Sequence, residues 1–143
     1  MIVKFKRLSQ GAVIPSYMTA GAVGMDVHAL GDYIVVGDTV VRIRTGIAVA
    51  IPEGYEINVR ARSGLSIKYP NYFVISGGGT IDSDYRGEII IPVINRTRER
   101  WEIKEGDRIA QLVVSPVAKP KIELVYELLD TERGSGGFGH TGD

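Results

Sequence analysis

The stretch that decides the fold class is YEINVRAR, residues 55–62, followed by SGLSIKY, residues 63–69. The first part alternates with a period of two residues, which is the pattern of a β-strand with one polar and one mixed face. The second part predicts one short helix, with Ser63 as its N-cap. The stretch predicts a strand that ends in a polar, glycine-containing turn and a short helix.

Similar short runs, alternating or apolar, recur outward in both directions and are separated by turn signals. Gly37-Asp38 is a two-residue hairpin signal between two of these runs, and Pro92 indicates an edge strand or a bulge. Strands at this spacing, without a long helical period, predict a sandwich, barrel or jelly roll. The further predicted strands are residues 2–6, 33–36, 39–44, 47–51, 88–95, 101–104, 108–114 and 122–127.

The composition supports an all-β fold. The chain of 143 residues has 17 Ile and 16 Val against 7 Leu and 9 Ala, and it has 18 Gly. Stiff β-branched side chains favour pleated sheet, whereas a helical bundle is rich in Leu and Ala. The length is suited to one domain with its own core.

The charges exclude several classes of partner. Lys plus Arg and Asp plus Glu are both 17, so the basic excess of a general nucleic-acid or anionic-membrane binder is missing. No apolar run approaches the roughly 18 residues of a membrane helix. The first residues lack a signal-peptide pattern, and there is no Cys. We therefore expect a cytoplasmic protein without disulfides.

The last eleven residues differ from the β domain predicted for residues 1–132. Residues 133–143 contain five glycines and one large apolar residue, Phe138. Such a segment either frays as an ordinary terminus or closes as a flexible arm over an anionic, aromatic ligand. Arg133 favours the arm, because arginine is a usual phosphate ligand.

The side chains available for chemistry are carboxylates, arginines and hydroxyls, together with glycine-rich backbone. P-loop and HExxH patterns are absent, and His28 and His140 lie far apart in sequence. The remaining groups suit phosphate chemistry with Mg²⁺, which prefers oxygen ligands. Arg62-Ser63-Gly64 is either a phosphate-binding turn or an ordinary capped turn with a surface arginine.

Four other residues are candidates for the site. Asp82 follows Gly77, Gly78 and Gly79, and it is either a partly buried general base or a turn residue. Tyr85 is either a ligand contact or core packing. Asp26 ends a loop of small residues, and Gln111 is either a satisfied core amide or a ligand contact.

Five short motifs are spread over essentially the whole chain: AVGMD at 22–26, RSGLS at 62–66, GTIDSDYRG at 79–87, GDRIAQ at 106–111 and RGSGGFGHTG at 133–142. Together, and in this order, they resemble the motifs of the deoxyuridine triphosphatase (dUTPase) family in its homotrimeric all-β form. The third and fifth motifs are the most specific.

The resemblance implies a distorted jelly roll of the dUTPase-like β-clip type, with one short helix and a flexible C-terminal arm. It implies hydrolysis of dUTP to dUMP and pyrophosphate with Mg²⁺, which supplies dUMP and keeps uracil out of DNA. It also implies a homotrimer with three shared sites. Each site would take motifs one, two and four from one subunit, motif three from another, and the arm from the third.

The resemblance also implies roles for individual residues. Asp82 matches the general base for the water that attacks the α-phosphorus, and Tyr85 matches the residue that packs on deoxyribose and rejects a 2′-hydroxyl. Asp26 matches a carboxylate that reaches the metal through water, the metal being held mainly by the triphosphate. Backbone at Gly77, Gly78 and Gly79 would read uracil, Phe138 would stack on it, and the matching phosphate contacts are Arg62, Ser63, Gly64, Gln111 and Arg133.

The chain departs from the family pattern at Ser66, at Thr80 and in residues 68–73, the last lying close before the base-reading segment. One rival is a dCTP deaminase, or a bifunctional relative, on the same fold. That branch carries a catalytic glutamate on the strand after the third motif, where this chain has Ile89-Ile90-Ile91-Pro92. Another rival is a non-catalytic nucleotide-binding trimer, against which Asp82 and the complete arm argue.

Overall fold

The computed structural model describes residues 1–70, 72–74 and 79–137. Within these ranges the chain has eleven strands and one short helix, α1, over Ser63–Lys68. The all-β prediction with one helix is therefore confirmed. The strands are β1 Lys4–Arg7, β2 Met25–His28, β3 Tyr33–Val35, β4 Val40–Arg44, β5 Ile47–Ala50, β6 Tyr55–Arg60, β7 Tyr72–Val74, β8 Thr80–Ile81, β9 Ile90–Asn95, β10 Trp101–Ile103 and β11 Arg108–Pro116.

The strands pair antiparallel in four small sheets. The largest has the order β2-β11-β6-β8, and a three-stranded sheet has the order β4-β9-β7. Two further pairs are β1 with β5 and β10 with β3. Neighbours in a sheet are mostly distant in sequence, as in a jelly roll, where the chain passes back and forth between sheets.

The register of the four-stranded sheet determines where its functional side chains lie. Gln111 of β11 lies opposite Arg60 of β6 on one side and Asp26 of β2 on the other. On the far edge of β6, Ile57 lies opposite Ile81 of β8. Asp26 of the first motif and Gln111 of the fourth motif are thus neighbours across the sheet. Arg60, on the other side of Gln111, lies at the end of β6, just before the second motif.

The core consists mainly of β-branched side chains from all four sheets. Ile43, Ile47, Ile57, Ile91 and Ile109 are fully buried. Burying such a side chain contributes about 1.5–3 kcal/mol relative to leaving it exposed. The excess of Ile and Val in the composition is therefore used to fill the space between pleated surfaces.

The Gly37-Asp38 hairpin prediction is wrong. β3 pairs with β10 and β4 pairs with β9, so the two strands that flank this turn enter different sheets. Asp38 has a φ of +52°, and its amide donates to the carbonyl of Asn95 at 2.8 Å. The turn is therefore a corner between sheets rather than the tip of a hairpin.

Pro92 lies in β9, which is the central strand of its sheet and not an edge strand. It is opposite Arg42 of β4. On the other side, the described pairing with β7 ends at Val93. Proline lacks an amide hydrogen, so it fits beside the end of this ladder.

Residues 122–127 do not form the predicted strand in the single chain. Their apolar side chains are exposed, with Ile122 and Tyr126 fully so. A strand needs a neighbour to satisfy its backbone groups, and none of the described residues pairs with this segment. The sequence pattern is that of a strand, but the part of the chain that the structure describes offers it no partner.

In the described part of the chain, helix α1 has six residues, and no helix is long and apolar enough to cross a bilayer.

The turn between β4 and β5 offers a test of the packing. Gly46 has a φ of +67°, and a Cβ there would come within 2.8 Å of Ala12 Cβ and Leu30 Cδ2, whereas Gly54, with a φ of +83°, has open space. We expect Gly54→Ala to cost about 1–2 kcal/mol through backbone conformation alone. Gly46→Ala should cost about 1–3 kcal/mol more because it also overpacks the core. Urea unfolding of both variants measures the difference, and equal losses would contradict this packing.

Candidate active site

A buried carboxylate between two guanidinium groups forms the first part of the candidate site, which we name the arginine–aspartate cluster (Asp26, Arg62 and Arg108). Arg62 Nε lies 3.1 Å from Asp26 Oδ1, and Arg108 Nη1 lies 3.1 Å from Asp26 Oδ2. Arg62 also donates to the carbonyl of Arg108 at 3.1 Å. Asp26 is 6% exposed, so its charge is compensated by these two partners rather than by water. The cluster joins the first, second and fourth motifs.

The strands explain why these side chains meet. Asp26 lies on β2 and not in a loop, and its amide donates to Ser16 at 3.0 Å. Gln111, beside it on β11, donates to the carbonyl of Ala61 at 2.9 Å, just before Arg62. A Cβ at Gly24 would collide with the Gln111 side chain, whose Cδ would be 3.0 Å away. Gly24 thus allows this partly buried amide to lie across the sheet.

Helix α1 begins directly at the cluster. Arg62 is its N-cap residue, with φ −90° and ψ 129°, so the prediction of Ser63 as N-cap is wrong by one residue. The Arg62 carbonyl accepts the amides of Leu65 and Ser66 at 3.0 and 3.1 Å. Ser63 and Gly64 therefore form the first helical turn, next to the guanidinium of Arg62.

His28 follows Asp26 on the same face of β2. Desolvation by burial lowers the pKa of His28 below 6.5; Arg108 and Arg62 lower it too, and Asp26 opposes them. Its Nδ1 is buried without a hydrogen-bond partner among the residues described. At neutral pH the imidazole is therefore mainly uncharged, and two arginines against one aspartate give the cluster a net positive charge.

A pocket of about 210 Å³ adjoins the cluster. Its walls include Arg62 and Arg108, together with Lys68, Tyr69 and Trp101. The rings of Tyr69 and Trp101 lie 5.4 Å apart between centroids. Lys68 and Tyr69, the first two residues of the segment that departs from the family pattern, therefore lie next to the cluster.

The second part of the candidate site is the Asp82 turn, residues 82–87, which follows β8. Asp82 and Tyr85 line a pocket of about 200 Å³ together with Gly79 and Glu88. The Tyr85 amide donates to the Asp82 carbonyl at 3.2 Å. Arg86 Nη1 donates to the carbonyls of Ser83 and Tyr85, both at 2.8 Å, which stabilises the turn from within. Asp82 itself is exposed, so the expectation of a partly buried carboxylate is wrong for the single chain.

The two parts lie at opposite ends of β6. The row of Arg60, Gln111 and Asp26 is three residues along β6 from Ile57, whose partner Ile81 directly precedes Asp82. Asp82 is therefore about 13 Å from that row along the strands. In addition, β2 and β8 are opposite edges of the sheet, three spacings or about 14 Å apart. One chain does not bring Asp82 to its own arginine–aspartate cluster.

Of the remaining predicted site residues, the structure describes Gly79 and Arg133. The carbonyl of Gly79 accepts the amide of Val59 at 2.9 Å and so stabilises the sheet. Arg133 is exposed and donates to Gly136 at 2.8 Å within its own segment, away from the contacts of the cluster. Gly77, Gly78 and Phe138 lie outside the described residues.

Sequence reasoning missed two residues, Arg108 and Glu88, that make contacts in or beside the candidate site. Arg108 lies within the fourth motif, but its approach to Asp26 depends on a register shift between Arg108 and Ala110. Glu88 directly follows the third motif and contacts residues more than forty positions away in sequence. Neither contact has a local sequence signal.

The side chains of the site offer few oxygen ligands for Mg²⁺. Among the described residues, no group of three or more His, Cys, Asp or Glu is placed to hold a metal ion. Each Asp26 oxygen accepts one guanidinium hydrogen bond, which leaves lone-pair capacity for a water molecule. These residues fit a metal that is bound mainly by a phosphorylated ligand and do not fit a cage made of protein alone.

The fold and the cluster define a class: an all-β protein of the jelly-roll type with a positively charged site that suits a phosphorylated ligand. Comparisons with known proteins identify the family. The model of the dUTPase family matches residues 10–142. The deoxyuridine 5′-triphosphate nucleotidohydrolase of Nautilia profundicola is 49% identical over 142 residues, covering 99% of both chains.

Solved structures agree with this match. A mutant dUTPase of Staphylococcus bacteriophage 80alpha with dUpNHpp has a TM-score of 0.91 at 28% identity, covering 99% of both chains. A mutant dUTPase of phage phi11 of S. aureus, described with a structural Mg(II) ion, has a TM-score of 0.83 at 26% identity; the match covers 91% of this chain and 100% of that one. The chain belongs to the dUTPase family.

Proposed function

We propose that the protein hydrolyses dUTP to dUMP and pyrophosphate, which supplies dUMP and keeps uracil out of DNA. The observation that carries this proposal is the arginine–aspartate cluster, which three of the five family motifs build around one buried carboxylate. The activity of the relatives supports the choice of substrate, since the Nautilia enzyme is named as a deoxyuridine 5′-triphosphate nucleotidohydrolase.

The cluster supplies the binding site for the triphosphate. Asp26 holds Arg62 and Arg108 by one oxygen each, so the remaining N–H groups of both guanidiniums are oriented before the ligand arrives. Planar guanidinium groups bind phosphate oxygens in pairs. Ser63, Gly64 and Gln111 extend this surface along the start of α1 and along β11.

Asp82 acts as the general base. A carboxylate oxygen accepts a proton from water as the water oxygen bonds to the α-phosphorus. The bond between the α-phosphorus and the oxygen that bridges to the β-phosphate breaks, and pyrophosphate leaves with that oxygen. The exposure of Asp82 in the single chain leaves room for both water and substrate.

Mg²⁺ fits this site as a companion of the triphosphate. When bound, such a metal ion neutralises phosphate charge and orients the leaving group. Asp26 would contact its hydration shell with the lone pairs that Arg62 and Arg108 leave free. The family match and the phi11 structure support this cofactor.

Residues in and directly before the third motif, together with Phe138 of the arm, recognise the nucleoside. Backbone at Gly77, Gly78 and Gly79 would read uracil, and Phe138 of the arm would stack on it. Tyr85 packs on the deoxyribose and excludes a 2′-hydroxyl. Its position supports this role, since it lines the same pocket as Asp82 and Gly79.

The complete site forms between subunits of a homotrimer. The separation of Asp82 from the cluster along β6 supports this arrangement, because two subunits have to meet for both parts to contact one substrate. The exposed apolar segment around Ile122, Leu124 and Tyr126 also supports it, since a neighbouring copy would cover these side chains.

Residues 133–143 serve as the arm that closes over a neighbouring subunit's site, and residues 1–132 form the β domain. Arg133 would bind the terminal phosphate once the arm has closed, giving up its bond to Gly136. Closure of such an arm excludes water and orders the site. We place the enzyme in the cytoplasm, with neither nucleic acid nor membrane as partner.

The rival activities lack a comparable observation. β9, where the deaminase branch carries its catalytic glutamate, consists of Ile90–Asn95 and contains no acidic residue. A non-catalytic trimer would not need Asp82 in the pocket that Tyr85 lines.

A panel of four nucleotides tests the proposed function. With Mg²⁺ we expect pyrophosphate release from dUTP, and much slower release from dTTP, dCTP and UTP, because the uracil backbone contacts and Tyr85 select base and sugar. Removal of Mg²⁺ with a chelator should lower the rate for dUTP. Ammonia release from dCTP would indicate the deaminase, and no turnover of any nucleotide would indicate the non-catalytic trimer.

Asp82→Asn tests the general base. We expect kcat to fall by about 10²–10⁴-fold while binding of a non-hydrolysable dUTP analogue is retained, because an amide cannot accept the proton. Asp84→Asn is the matched control, since Asp84 is an exposed carboxylate two residues along the same turn. A turnover of Asp82→Asn close to that of the control would refute the role of Asp82.

A further inference from the structure

Glu88 connects the end of the third motif to a distant turn, the one between β4 and β5. Its Oε1 accepts the amide hydrogen of Gly46 at 2.8 Å. Arg44 Nε lies 3.2 Å from Oε1 and 3.1 Å from Oε2. The Glu88 side chain is 16% exposed and that of Arg44 is 55% exposed, so the bond to Gly46 is partly shielded from water, whereas the ion pair with Arg44 faces solvent.

The backbone next to Glu88 is bound to the same turn. The Ile89 amide donates to the Ile47 carbonyl at 2.8 Å, and the buried Thr45 hydroxyl donates to the Ile89 carbonyl at 2.5 Å. Residues 88 and 89 are therefore bound to the β4–β5 connection by both side chain and main chain.

The main chain of Glu88 binds Tyr85. The Tyr85 hydroxyl donates to the Glu88 carbonyl at 2.9 Å. The ring lies against Gly87, where a Cβ would be 2.6 Å from Tyr85 Cζ. Tyr85 as a whole residue is 44% exposed, so the hydroxyl bond to Glu88 and the contact with Gly87 are what limit the movement of the ring.

We propose that Glu88, with Arg44, is a positioning residue that fixes Tyr85 and thereby determines how strongly the enzyme rejects ribonucleotides. This inference rests on the proposed function, in which Tyr85 packs on deoxyribose. A hydrophobic contact by itself rejects an added hydroxyl only weakly. An exposed ring on a turn would move aside to accommodate a 2′-hydroxyl. The Tyr85 ring is held in place by its hydrogen bond to the Glu88 carbonyl, so it excludes the 2′-hydroxyl more strongly.

The experiment compares kcat/KM for dUTP and UTP in Glu88→Ala and Arg44→Ala. We expect the ratio for dUTP over UTP to fall by about tenfold, mainly because UTP becomes a better substrate, which corresponds to 1.4 kcal/mol of discrimination. Arg96→Ala is the matched control for Arg44→Ala, because Arg96 makes an exposed ion pair with Asp38 at 3.0 Å. The control should retain the wild-type ratio.

Two further variants separate positioning from a general structural role. In a Tyr85→Phe background, which lacks the tether, Glu88→Ala should change the ratio no further, because the two residues act through one bond. Glu88→Gln keeps an oxygen for Gly46 but loses the charge that pairs with Arg44, so its ratio should fall less. Glu88→Gln and Arg44→Ala decide the question if Glu88→Ala does not fold.

An unchanged dUTP over UTP ratio in the folded variants, or equal losses for both nucleotides, would overturn the proposal. Additive effects of Glu88→Ala and Tyr85→Phe would also overturn it. Failure of the proposed function is distinguishable, because then the wild-type protein itself would not prefer dUTP over UTP.

Discussion

The structure depends on the pairing of β6 with β11 on one side and β8 on the other. This pairing places Arg60 beside Gln111, whose other neighbour is Asp26 of β2, and it places Ile57 beside Ile81. Because side chains alternate along a strand, a slip of one residue would turn the buried Ile57 and Val59 towards the opposite face. The hydrophobic core therefore determines the register, and the register determines where both parts of the site lie.

The two parts are built by different physical means. The arginine–aspartate cluster is a charge-paired centre in which burial of Asp26 makes both guanidiniums necessary. The Asp82 turn is an exposed loop. Arg86 stabilises it by hydrogen bonds within the turn, and Glu88, directly after the turn, binds it to the β4–β5 connection. A rigid charged centre suits a triphosphate, and an exposed turn that is anchored at its end suits selection of a sugar.

The sequence was sufficient to predict the fold class and the helix, and to single out Asp26 and Arg62 of the cluster as candidates, because β-branched composition, period-two alternation and the motifs are local signals. It did not predict β2, β7 or β8, which have two to four residues and are stabilised by their neighbours rather than by their own pattern. The partners of β3 and β4, the contact between Arg108 and Asp26, and the role of Glu88 depend on tertiary register. The apolar pattern of residues 122–127 predicted a strand, but none of the described residues pairs with this segment.

The central claim is that each active site takes its cluster from one subunit and its general base from another. The most direct test mixes Asp82→Asn and Arg62→Ala chains in equal amounts and reassembles them from denaturant. Each variant alone should be inactive, whereas random mixed assemblies should recover about one quarter of the wild-type activity, because one site in four pairs an intact cluster with an intact Asp82. Mixed assemblies that remain inactive, although native mass spectrometry shows both chains in one oligomer, would contradict the account.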